Sequence, residues 1–99
     1  MKDITVKLSK PLMDQDGKEH KELVLTEPTG RQWDAIGNPI KMSMSDGEQF
    51  VVVDNKKLTQ YVSEVTGVHE ASIYKLPFSE LQKVQNEMMT FFGQADTAS

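Results

Sequence analysis

Twice along this chain an Asp-Gly pair stands between two runs in which apolar residues alternate with polar ones, and this repetition directs the first half toward antiparallel hairpins. Glycine accepts positive φ freely and aspartate tolerates it, so Asp-Gly closes tight turns whose twist matches the flanking strands. Asp16-Gly17 lies between Ile4-Thr5-Val6-Lys7-Leu8 and Glu22-Leu23-Val24-Leu25-Thr26. In both runs a period of two sets one face against a core and the other in water. Asp46-Gly47 lies between Ile40-Lys41-Met42-Ser43-Met44 and Gln49-Phe50-Val51-Val52-Val53. Three consecutive valines favour strand over a helical continuation, because β-branching stiffens χ1 and suits a pleated surface.

Between the hairpins, Thr29 and Gln32 have capping-box spacing, and Gly37 and Pro39 supply a stop, which predicts a helix of about two turns. Trp33 and Ile36 share one of its faces and are expected to pack on the first hairpin as core, leaving Arg31 and Asp34 wet. After Asp54, an N-cap, the apolar positions Leu58, Tyr61, Val62 and Val65 fall at i, i+3, i+4 and i+7, and Gly67 is placed to end that helix. Val68 to Leu76 reads as a connector. A last helix begins near Pro77 or Ser79, carries the stripe Leu81, Val84, Met88 and Phe91, and stops at Gly93. The expected fold is α+β: N-terminal antiparallel β-hairpins with a short helix between them, then two C-terminal amphipathic helices. Residues 1–93 form one domain, because 99 residues hold one core, and 94–99 form a flexible polar tail.

The chain has no cysteine, so disulfides, thiolate metal sites and cysteine nucleophiles are excluded, and an intracellular setting fits. The charged start, Met1-Lys2-Asp3-Ile4-Thr5-Val6-Lys7, does not resemble a signal peptide, and no apolar run reaches membrane-span length. Fifteen acidic residues against eleven basic ones, with signs interspersed, argue against binding a phosphate backbone. No membrane or nucleic-acid partner is expected.

Chemistry is equally sparse. His20 and His69 stand far apart, and Asp14, Asp16 and Glu19 lack the full ladder of a calcium loop, so both groups read as turn and surface residues. The six glycines are isolated, which excludes a phosphate cradle, and no serine sits in a nucleophile elbow. No catalytic residue, metal or cofactor is expected, and the chain is read as no enzyme. What stands out is the end of the last helix. Met88, Met89, Phe91 and Phe92 offer more apolar surface than a narrow stripe needs, as a partner groove does, although the same residues would equally complete a core or a homodimer seam.

The segments Ile4 to Pro11 (Ile-Thr-Val-Lys-Leu-Ser-Lys-Pro), Leu23 to Gly30 (Leu-Val-Leu-Thr-Glu-Pro-Thr-Gly), Leu58 to Val68 and Leu76 to Gly93, in this order and spacing, resemble the phage tail assembly chaperones, the small tail assembly proteins of P2-like and Mu-like phages. The resemblance implies a non-catalytic protein of the infected host's cytoplasm. Such a protein binds the tape measure protein, keeps it soluble while the tail tube polymerises, and is not retained in the mature virion. The tail tube protein is a further candidate partner. The resemblance also implies a longer form made by programmed frameshifting. Thr90-Phe91-Phe92 is compatible with a slippery run of thymines, beyond which Gln94 to Ser99 would be replaced.

For the contact surface, Tyr61, Val65, Met88, Met89, Phe91 and Phe92 are the candidates, supplying area rather than directional bonds. Two other roles compete: a small structural tail or neck protein, which needs a stable self-assembly edge, and a host-directed regulator, which predicts a host protein as partner. Exposed strand edges and the apolar helix end each offer a route to a homo-oligomer.

Overall fold

The computed structural model describes residues 3–93 and shows an α+β fold. The elements are β1 (Ile4–Met13), β2 (Glu19–Leu25), α1 (Gly30–Ile36), β3 (Ile40–Ser45), β4 (Glu48–Val53), α2 (Asn55–Thr66), α3 (Glu70–Ile73) and α4 (Phe78–Gly93). Two separate antiparallel pairs form, β1 with β2 and β3 with β4. The expected tail, 94–99, lies outside the described residues.

In the first pair Ile4 faces Leu25 and Val6 faces Leu23, and these side chains, with Leu12, point into the core. Pairing breaks between Lys7 and Leu12. Pro11 sits in the break and has no N–H to give to a ladder. Helix α4 engages this irregular stretch: Ser9 N–H donates to Glu80 Oε1 at 3.1 Å, and Lys83 Nζ donates to the Lys7 carbonyl at 2.8 Å. The turn that follows is organised by Asp14, whose Oδ1 accepts from the Asp16 and Lys18 amides at 2.8 and 2.9 Å. Gln15 fastens this turn to the end of α2, donating to the Gly67 carbonyl and accepting from the His69 amide, both at 3.0 Å.

Helix α1 begins with the predicted box: Thr29 Oγ1 accepts from the Gln32 amide, and Gln32 Oε1 accepts from the Thr29 amide. Its packing corrects one expectation. The helix lies on α2 and not on the first hairpin, and Trp33 remains 43% exposed. Seven residues give too short a cylinder to seat both Trp33 and Ile36 in the core; Ile36 packs against it and Trp33 leans out toward α4. Gly37, at φ 94°, ends the helix in a conformation that disfavours any side chain.

Asp54 joins the second hairpin to α2. Its amide donates to the Pro39 carbonyl at 2.7 Å, closing the hairpin's base, while its Oδ1 accepts from the Lys56 and Lys57 amides and caps the helix. Leu58, Tyr61 and Val62 bury one side of α2, and Gly67 ends it in the left-handed conformation. The connector from Val68 to Leu76 contains the single turn α3, and Val68, Ile73 and Leu76 all enter the core. Helix α4 closes that core with Val84 and Met88. A fully buried side chain of this size contributes about 1.5–3 kcal/mol. No helix among the described residues is long and apolar enough to cross a membrane.

Candidate protein-binding surface

The six residues expected to form one contact surface are divided among four places. Tyr61 and Met88 are fully buried, and their expected partner surface is corrected to core packing. The reason is angular: Val84 and Met88, four apart, share the side of α4 turned toward the core, so Met88 is spent there. Val65 lines a shallow recess with residues of β2, including Leu23 and Val24. Met89 lines a groove with Val53, Phe78 and Leu81. Phe91 and Phe92 line one cleft together, about 360 Å³, with Pro28, Thr29, Trp33 and Asn38, and Tyr61 supports Phe92 from the core side.

That cleft is built from three aromatic rings in sequence. Trp33 stacks on Phe92 with centroids 6.0 Å apart and planes 24° apart, and Phe92 meets Tyr61 at 4.7 Å with the rings tilted by 55°. Tyr61 is fixed at its far end, since its hydroxyl donates to the Gly37 carbonyl at 2.7 Å. Burial raises the Tyr61 pKa above its ordinary value of 10.0, so the phenol keeps its proton and this bond at neutral pH. The core thus holds Phe92, and Phe92 holds Trp33, whose exposed part forms one wall of the cleft. The segment Glu27-Pro28-Thr29 also lines the cleft, and Thr29 is tied to Gln32 by the α1 capping box.

An open apolar recess with a single acidic group, Glu27, at its rim suits large side chains of another protein. A helix about 10–12 Å across is too thick to enter, so a partner helix would lie over the mouth and insert one or two anchors. No group of three or more metal-ligating side chains occurs among the described residues. His20 pairs with Asp14 at 2.7 Å, and this contact first, then the Lys18 amide, lowers the Asp14 carboxyl to about 2. These residues organise a turn.

Trp33 is the site residue that the sequence reading missed, because a lone tryptophan on an amphipathic helix looks like core. A second omission is larger. Met42, Met44, Phe50, Val51 and Val52 are all exposed, at 41–65%, on the second hairpin. The alternation of Ile40, Met42 and Met44, with Val51 and Val53 on the partner strand, signalled an apolar face, though not that the face stands open.

Comparison with known proteins adds the family. No curated protein and no solved structure matches the chain. The family model described as "Phage tail assembly chaperone proteins, E, or 41 or 14" matches residues 5–93, nearly the whole chain and every element above, and the chain therefore belongs to this family of phage tail assembly chaperones.

Proposed function

We propose that this chain binds the phage tape measure protein and keeps it soluble until the tail tube encloses it. The observation that carries this reading is the cleft of Trp33, Phe91 and Phe92, an apolar recess on a chain of net charge −4. A tape measure protein with unpartnered apolar helical stripes needs temporary cover, and the cleft offers anchors while the acidic exterior keeps the pair dispersed. The role requires no catalysis and no cofactor. It belongs to the host cytoplasm during assembly, and the protein leaves before the virion is complete. The tail tube protein is a further candidate partner, and a frameshifted form, in which an extension replaces Gln94 to Ser99, would add a second module. Sequencing the gene over Thr90 to Phe92 tests that form, which needs a run of thymines there.

Co-expression tests the main reading. The wild-type chain should raise the soluble yield of the tape measure protein, and Trp33→Glu should remove most of that gain while leaving the circular dichroism of the isolated chain unchanged. A full gain with Trp33→Glu would overturn the assignment of the cleft, and no gain with the wild type would overturn the role. Purified virions should lack the protein.

A further inference from the structure

We propose that two copies of this chain associate reversibly through the apolar face of the β3–β4 hairpin, with Met42, Met44 and Val51 of one copy packed on the same residues of the other. The register sets Ile40 opposite Val53, Met42 opposite Val51 and Met44 opposite Gln49, so all six lie on one face. Five of the six are apolar and none is charged. Lys41, Val52, Ser43, Phe50, Ser45 and Glu48 form the other face, which carries both of the strands' charges. Asp46 and Gly47, at φ 52° and 81°, close a regular two-residue turn between them.

The first face has almost no cover from the described residues. Val53 packs against the core and Ile40 is half-buried, but Met42, Met44 and Val51 are 62%, 65% and 57% exposed. Neither strand packs broadly on any element other than its partner. A lone two-stranded hairpin is marginal in water, so a hairpin with this composition gains most from a layer on its apolar side.

Charge selects a second copy as that layer. Copies of a chain with net charge −4 repel each other, and an isologous contact sets every group near its own duplicate. An uncharged face meets itself without setting like charges in contact, so only the weaker, screened repulsion between the net charges remains. It is also a flat stripe two strands wide, equal to its duplicate in length and breadth, and two such stripes stack as facing sheets about 10 Å apart. Flexible methionines fit the remaining gaps. The open parts of the three exposed side chains come to roughly 300 Å² per copy, so the pair buries less than the ~1,200 Å² of stable complexes and exchanges with monomer.

Sedimentation of the wild-type chain from micromolar to millimolar concentration should show a monomer–dimer equilibrium. Met42→Glu and Met42→Lys should each raise the dissociation constant more than about tenfold, by setting like charges together, with unchanged melting because the position is exposed. Mixing the two variants should restore association, which only a contact between equivalent faces allows. As the chain has no cysteine, Met42→Cys adds a second readout: oxidation should yield disulfide-linked dimers faster than with Glu64→Cys on the exposed side of α2. A wild-type chain that stays monomeric throughout, or a dimer that both charged variants leave intact, overturns the proposal. Met42→Glu should still solubilise the tape measure protein, so this result and the test of the cleft stand apart.

Discussion

Trp33→Ala separates folding from binding at the aromatic cleft. Trp33 is 43% exposed. A tryptophan presents about 250 Å², so roughly 140 Å² is covered in the folded chain and roughly 110 Å² is open. At about 25 cal/mol per Å² the covered part is worth about 3.5 kcal/mol, and residual compactness of the unfolded chain lowers this to about 2–3 kcal/mol. A domain of this size has about 5–15 kcal/mol of stability, so the variant remains folded, with its urea midpoint lowered. Covering the open part with a partner is worth about 2.5 kcal/mol, a loss of affinity of roughly 50- to 100-fold on truncation. Trp33 is also the chain's one tryptophan, so its emission reports on the cleft without a label. Saturating tape measure protein should shift the wild-type emission to the blue as the half-exposed indole loses water. Urea unfolding followed by circular dichroism gives the stability difference, and titration calorimetry gives the affinities of wild type and variant. An emission maximum that does not move at saturation, or a variant that binds within twofold of the wild type, would refute the reasoning.

Three further perturbations probe the frame around the cleft. Met88→Ala removes a side chain that is fully buried and should cost about 2–5 kcal/mol, lowering the melting temperature by some 10 °C or more, while purified folded variant still binds the tape measure protein. Asp54→Ala should cost about 0.5–2 kcal/mol through loss of the α2 cap, read as a shift in urea midpoint. Asp14 is held at about 2, below its ordinary 3.8, so its contribution to stability is complete just above the ordinary value and disappears as the pH falls through about 2; the difference in stability between wild type and Asp14→Asn should narrow across that interval.

The parts of this fold that the sequence makes legible are those governed by neighbours in the chain. Thr29 with Gln32, Asp54 ahead of Asn55, Gly67 behind Thr66 and Asp46-Gly47 each act within a few residues, and each forms as its local chemistry dictates. The interrupted pairing of β1 is half legible. Pro11 announces a break, but the groups that engage it, Glu80 and Lys83, lie more than seventy residues away on α4. Helix α3 escapes because four residues complete one turn and show no period. The same reasoning accounts for the site. Helical periodicity ranks Met88 with Val84 and separates it from Met89, yet composition merges all the methionines and phenylalanines near residue 90 into one patch; the 100° between successive residues then sends Met88 inward, Met89 into the groove it lines with Val53, and Phe92 toward Trp33. For the second hairpin, alternation identifies Met42, Met44, Val51 and Val53 as companions on a face but carries no information about what lies opposite. The first hairpin has the same alternation, and its face is covered because α2, α3 and α4 occupy that side. Once those helices are committed there, no other element among the described residues covers β3–β4, and its apolar face becomes the surface most in need of another molecule.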